Sequence, residues 1–212
     1  MLLSTDLFSA LRKDIIDKKY ARGFKLTEQM ICSQYKVSRT PVREALSQLE
    51  AEGLIETIPN RGAFVLGISE QEIKDIFELR KPYEMLAVKW AVERMTDDEL
   101  ETLEESFDFM EFYTGKNDIE KMMNINTNFH RIIYAAAHSR MLSNLLTLYQ
   151  QYTEAVKKSR VFESGYLVQL LEEHREIFDA IKNKDAPLGM QAMEKHMDNS
   201  MKRCYNIING RL

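Results

Sequence analysis

The sequence predicts a mainly α-helical chain in two parts. A small N-terminal unit of short helices closes with a hairpin, and a C-terminal antiparallel all-α bundle of about six helices follows. Apolar residues recur at helical spacing through most of the 212 residues, and a short stretch of strand character, 54–66, surrounds the turn residues Pro59-Asn60-Arg61-Gly62. With 44% hydrophobic and 29% charged residues, and only 8 glycines and 4 prolines, the composition excludes disordered, collagen-like and linker-rich chains.

The elements follow in order. Leu7, Leu11, Ile15 and Ile16 predict a helix over 5–20, stopped near Gly23. Thr27 caps a second helix, 28–35, and Tyr35-Lys36-Val37 is a tight connection. Ser38 stands at the N-cap of a third helix with Pro41 in its first turn and Ala45, Leu46 and Leu49 on one face; Gly53 ends it. Strands 54–58 and 63–66 then flank the turn. Helix, helix, turn, helix, hairpin is the order of a winged helix-turn-helix, placed at 1–68.

The bundle occupies 69–212. Ser69 with Glu72, and Thr96 with Glu99, have capping-box spacing. Ile73, Ile76, Phe77, Tyr83, Leu86, Ala87 and Trp90 form the stripe of the first long helix, and Leu100, Leu103, Phe107 and Met110 that of the second, closed by Gly115. Asn117 or Asp118 opens a helix to about His138, a fourth covers about 140–160, a fifth about 165–183, and Asp185-Ala186-Pro187 starts a sixth reaching about Ile208. His138, near a helix end, reads as a capping residue.

No phosphate-binding glycine loop, nucleophile elbow or clustered cysteine set occurs, so no catalytic residues are expected. Cys32 and Cys204 lack metal-type spacing and fit a reducing compartment. Asp6 interrupts the first apolar stretch, no basic residue precedes Arg12, and no segment approaches the roughly 18 apolar residues of a membrane span. A cytoplasmic protein with no membrane partner is expected.

The net charge of −4 hides an asymmetry: residues 1–69 carry ten basic against eight acidic side chains, and the remainder 19 against 25. A polyanion would meet the N-terminal part. There Ser38, Arg39, Thr40 and Arg43 occupy the start of the third helix, where free N–H groups and the positive helix end face a ligand. Arg39 and Arg43 share a face, and their guanidinium forks fit guanine O6 and N7 or a phosphate, whereas Ser38 and Thr40 suit phosphates. The same arginines would equally decorate a solvated helix by pairing with Glu44 or Glu50.

In the bundle, Asn126 and His130 stand four apart on one helical face, while His174 and His196 fall on the apolar sides of the last two helices. Three inward imidazoles on three helices either converge on a divalent transition metal (zinc, manganese, nickel or iron) or serve as separate hydrogen-bonded core residues. Met190, Met193, Met197 and Met201 read as adaptable packing.

The run VSRTPVREAL, followed by LEAEGLI and by Asn60-Arg61-Gly62-Ala63-Phe64-Val65, closely resembles the N-terminal domain of GntR-superfamily transcription regulators. Residues 70–212 resemble the FCD effector domain of the FadR-like branch, through Glu78-Leu79-Arg80-Lys81-Pro82-Tyr83-Glu84, Asn128-Phe129-His130, Glu173-His174-Arg175-Glu176-Ile177 and His196. The first resemblance implies that Arg39 and Arg43 read an operator, that Ser38 and Thr40 hold phosphates, and that the wing around Arg61 and Gly62 enters the minor groove. Gln29 matches a position where some relatives carry a basic DNA contact.

The second resemblance implies a metal held by one Asp and three His beside a small carboxylate effector. Asn126 stands here for the Asp, so the ligands would be Asn126, His130, His174 and His196, with one anionic ligand fewer and a weaker hold. Arg80 is the expected partner of the effector's carboxylate, with Tyr83, Tyr134 and Asn128 lining the pocket; a plain Arg80–Glu84 surface pair is the other reading. The expectation is a homodimeric regulator, a repressor on a palindromic operator in double-stranded DNA, modulated by a small organic acid. A metal-responsive or ligand-independent regulator, and a metalloenzyme, remain the alternatives.

Overall fold

Helix α1 (Ser4–Ile16) presents Leu7, Leu11 and Ile15 to Val42, Ala45 and Leu49 of helix α3 (Arg39–Ala51), all six fully buried or nearly so. Each of the five larger side chains contributes about 1.5–3 kcal/mol through burial. The computed structural model describes residues 4–17, 19–59, 61–67, 69–157 and 165–208. The chain divides into two units, Met1–Glu72 and Ile73–Leu212.

In the first unit, Thr27 accepts from the Met30 N–H to cap α2 (Glu28–Tyr35), and Lys36, at φ 55°, closes it in the left-handed region. Gly53, at φ 71°, turns the chain out of α3. Strands β1 (Lys25–Leu26), β2 (Ile55–Ile58) and β3 (Gly62–Val65) form an antiparallel sheet in the order β1-β3-β2, with Leu26 opposite Ala63 and Ile55 opposite Val65. This is a winged helix-turn-helix. Two expectations change. The first helix stops at Ile16, not near residue 20, and Tyr20 beyond it donates to Gln34 and packs on Phe24. Leu46 is only half-buried; Val42, one turn earlier, takes the core position. Asn60, in the expected turn, and residues 158–160 of the expected fourth bundle helix lie outside the described residues.

The second unit takes most of α4 (Glu70–Arg94), then α5 (Asp97–Gly115), α6 (Ile119–Ala136), α7 (Arg140–Lys157), α8 (Tyr166–Lys182) and α9 (Ala186–Ile208). Their starts follow the capping chemistry: Ser69 and Glu72 exchange hydrogen bonds ahead of α4, Thr96 and Glu99 do so at α5, Asp118 caps α6, and Asp185 accepts from Leu188 at α9. Helix α5 packs on α6 and α8, α8 on α9, and α7 on α6 and α9. The core stacks Phe107 on Phe178 at 4.9 Å, with Phe129, Met110 and Ile177 buried around them. A Cβ on Gly189 would stand 2.8 Å from Val88, so only glycine lets α9 approach α4 this closely. Met193 and Met197 are buried, Met190 and Met201 half-buried. His138, at φ 50° just past α6, pairs with Glu99 at 3.0 Å. Among the described residues, no helix is long and apolar enough to cross a membrane.

Candidate functional site

The first candidate surface lies at the N-terminus of α3. Ser38 takes the N-cap backbone position but makes no side-chain cap hydrogen bond, leaving its hydroxyl for an external partner. Arg39, Thr40 and Arg43 follow, all exposed, as is Gln29 on the first turn of α2. Val42, Ala45 and Leu49 anchor the opposite face, so packing of the helix fixes which side chains point outward. Arg43 does not pair with Glu44 or Glu50; its Nε and Nη2 donate to the two carboxylate oxygens of Glu28 at 2.7 and 3.2 Å. Beside it, an open hollow is lined by Lys25, Arg43, Arg61 and Gly62 among others, so α3 and the wing share one concave surface. Gly62 adopts φ +102° with the Lys25 Cε 3.1 Å from where a Cβ would stand, a backbone that only glycine enters without strain.

The second candidate site is buried in the helical unit. His130 from α6, His174 from α8 and His196 from α9 converge, each with a ligand atom within 4.8 Å of the others, and are 2%, 0% and 3% exposed. His174 Nδ1 donates to the Leu170 carbonyl at 2.7 Å, one turn back on its own helix, leaving Nε2 with its lone pair. His196 Nδ1 lies 2.9 Å from Glu173 Oε2, and the same logic frees its Nε2. His130 Nε2 sits 3.3 Å from His174 Nε2. Burial holds the His174 imidazolium well below its usual range, reinforced by the neighbouring rings, and lowers His196 to about 4 despite Glu173. Two buried imidazoles kept neutral and fixed by an outer hydrogen bond, with a third beside them, suit a divalent transition metal. Asn126 is buried one turn before His130 on the same helix.

Two carboxylates flank the histidines, each matched by an arginine. Glu173 accepts from His196, from Asn199 at 2.9 Å and from both terminal nitrogens of Arg203 at 2.7 Å; burial raises its pKa, but these partners outweigh it and hold the carboxyl at about 2. Glu84, fully buried on α4, receives Arg80 Nε at 2.7 Å and the Tyr134 hydroxyl on Oε1. Burial again pushes the carboxyl up, and Arg80 brings it down to about 2.

Arg80 differs from both readings of the sequence. It is buried, not a surface residue, and it is not an unpaired cation awaiting an acid: Glu84, the Thr153 hydroxyl at 2.8 Å and the Tyr134 hydroxyl at 3.1 Å already surround it. Tyr134 does belong to this cluster. Tyr83 is 38% exposed and Asn128 is exposed, so the structure does not gather them with Arg80 and the histidines. Sequence reasoning missed Glu84 as a neighbour of His130 and Glu173 as the partner of His196, and it missed Arg203 and Thr153 entirely. The available signal was Glu84 lying four residues after Arg80 on an apolar stripe.

Comparison with known proteins agrees with both units. Residues 3–65 match the gntR family of bacterial regulatory proteins and residues 75–199 match the FCD domain. The chain is similar to YdhC, an HTH-type transcriptional regulator of Bacillus subtilis, at 25% identity over 95% of this chain and 90% of that protein. It is 24% identical to the transcriptional repressor RspR of Escherichia coli, over 92% of this chain and 86% of the relative. Similarity to the galactonate operon transcriptional repressor of E. coli is 26%, over 93% and 94%. Among solved structures, E. coli McbR/YncC superposes with a TM-score of 0.77 at 22% identity, covering 97% of this chain and 99% of that one. The chain belongs to the gntR family of bacterial regulatory proteins that carry an FCD domain, and is a DNA-binding transcription regulator.

Proposed function

We propose that this regulator is a repressor whose operator affinity answers to a divalent metal and a small carboxylate bound in the helical unit. In this reading, residues 1–68 bind DNA, and 69–212 bind the effector and join two copies into a homodimer. The observation that carries the ligand half is the three-imidazole centre, whose rings are buried and convergent, with His174 and His196 held neutral and fixed by hydrogen bonds at Nδ1. Asn126, His130, His174 and His196 are the proposed ligands. The lack of a carboxylate at Asn126 favours weak binding and leaves the metal more electrophilic toward an anion. Arg80 and Tyr134 would meet the acid, which must compete with Glu84 for the guanidinium.

Ser38, Arg39, Thr40, Arg43, Gln29, Arg61 and Gly62 form the proposed DNA surface. Few cations face the DNA from one unit, so useful affinity requires two units on a palindromic site. Several relatives are named as repressors, which supports that sign of regulation.

The test begins with selection of bound duplexes from a random pool, which should return a palindrome. Fluorescence anisotropy then measures affinity for that duplex at fixed salt. Arg43→Ala should weaken binding roughly ten- to a hundredfold, and zinc, manganese, nickel or iron(II), alone or with short carboxylic acids, should shift the curve. An affinity untouched by every metal and acid would remove the ligand half and leave an unregulated DNA-binding protein.

A further inference from the structure

Each imidazole of the buried centre needs an acceptor behind it if its front nitrogen is to face a metal, because a neutral ring carries one proton and that proton must sit on the rear nitrogen. His174 has the Leu170 carbonyl and His196 has Glu173. His130 has none formed: its Nδ1 is buried with no hydrogen-bond partner. Facing it at 3.7 Å is Glu84 Oε2, also buried and without a hydrogen-bond partner. Two buried polar atoms without partners are costly, and their adjacency calls for a physical account.

The proton positions supply it. The Leu170 carbonyl can only accept, so His174 carries its proton on Nδ1 and offers a bare Nε2. The 3.3 Å contact between the Nε2 atoms of His130 and His174 is a hydrogen bond only when His130 carries its proton on Nε2. In that tautomer His130 Nδ1 is bare, and a bare nitrogen cannot bond to a carboxylate oxygen. The two acceptors stand apart.

We propose that Glu84 is the positioning residue for His130 at this centre, accepting from Nδ1 when Nε2 turns to a metal, and that it thereby links the metal to the Arg80, Tyr134 and Thr153 cluster. The inference rests on the reading that the three histidines hold a divalent metal. When His130 Nε2 gives its lone pair to the metal, the proton that remains on the ring resides on Nδ1, and Glu84 Oε2 becomes an acceptor within reach. Closing 3.7 Å to a hydrogen bond of about 2.8 Å takes less than about one ångström of side-chain movement. Both partnerless atoms are then satisfied at once. The two oxygens of Glu84 divide the task, since Oε1 already receives Arg80 and Tyr134 while Oε2 is kept for His130. A shift of this carboxylate toward His130 is felt by Arg80, which also reaches Thr153 on α7.

The first experiment uses the wild-type chain, labelled with nitrogen-15 at histidine, freed of metal and titrated with zinc. Long-range nitrogen–proton spectra report which ring nitrogen carries hydrogen. The expected result is His130 protonated at Nε2 without zinc and at Nδ1 with it, while His174 and His196 carry hydrogen at Nδ1 in both states. His130 protonated at Nδ1, or at both nitrogens, before zinc is added would overturn the switch. Zinc bound through His130 Nδ1 would overturn the role of Glu84. Failure of zinc to perturb any of the three rings would overturn the metal reading itself, a separate and recognisable outcome.

The second experiment measures zinc affinity by competition with a chromogenic chelator. Glu84→Gln should raise the dissociation constant ten- to a hundredfold, and Glu84→Asp should recover part of the loss. Because Glu84→Gln leaves Arg80 a buried cation without its carboxylate, the paired variant R80Q/E84Q keeps the test valid if the single variant does not fold. Wild-type zinc affinity in either folded variant would refute the assignment.

Discussion

Arg43 enters DNA binding already engaged. Its guanidinium fork, the part suited to guanine or phosphate, is spent on the two oxygens of Glu28. The hydrogen bond from Arg43 lowers the Glu28 carboxyl below its usual range, so Glu28 remains an anion at neutral pH beside the surface that DNA must approach. The pair is solvent-exposed, with side chains 66% and 33% accessible, so it breaks cheaply. It still competes, and its negative charge repels the duplex. Glu28→Gln is expected to raise affinity for the selected operator about two- to tenfold at low salt, an effect that shrinks as salt rises. Anisotropy titrations at two salt concentrations decide it: an unchanged or weakened affinity would show that Glu28 holds Arg43 in its reading geometry instead of restraining it.

At the scale of elements, helix starts are set by a few side chains whose worth can be measured one at a time. Thr96 accepts from the Glu99 N–H at 3.3 Å and Glu99 accepts from the Thr96 N–H at 2.9 Å, fastening the start of α5. Thr96→Ala should cost about 1 kcal/mol, read from urea unfolding by the fluorescence of Trp90, the single tryptophan. The Glu99 carboxyl lies below its usual range, first through the Thr96 backbone hydrogen bond and then through His138. A lowered native pKa means that the unfolded chain binds the proton more readily, so this contribution is full above the ordinary carboxylate value and disappears as pH falls through the lowered one. Glu99→Gln should therefore be less stable than wild type at pH 7, and the difference should shrink as pH falls below the ordinary carboxylate range. A difference that persists in acid would assign the effect to side-chain shape and not to charge.

The same elements show what periodicity reveals and what it hides. Capping boxes, glycine stops and long apolar stripes announced the bundle helices because each signal is local. Strand β1 escaped notice because two residues, Lys25 and Leu26, carry no pattern; only pairing with β3 defines them. Helical spacing ties residues to a face of their own helix and is silent on which faces meet. Asn126 and His130 could thus be paired in advance, whereas the closeness of Glu84 to His130 and of Glu173 to His196 could not. Asn128 sits two residues from each of Asn126 and His130, about 200° around the helix, which explains its exposure.

For the whole molecule, the buried centre ties ligand to stability. A centre of three convergent imidazoles, two with their rear nitrogens already bonded, exists only in the folded state, so a metal that prefers it stabilises the helical unit by mass action. At a free zinc concentration a hundredfold above the dissociation constant the gain is about 2.7 kcal/mol, less whatever zinc the unfolded histidines retain. Trp90 lies on α4 within that unit, so its thermal transition should move upward with zinc and return on addition of chelator. His174→Ala removes one of the three imidazoles and also opens a cavity, so its transition will fall with or without metal. The informative quantity is the zinc-dependent increment, wild type against variant, and it should vanish in His174→Ala. An equal increment in both proteins would place the stabilising zinc elsewhere on the chain, and no increment in wild type would mean that the three imidazoles are packed for stability alone.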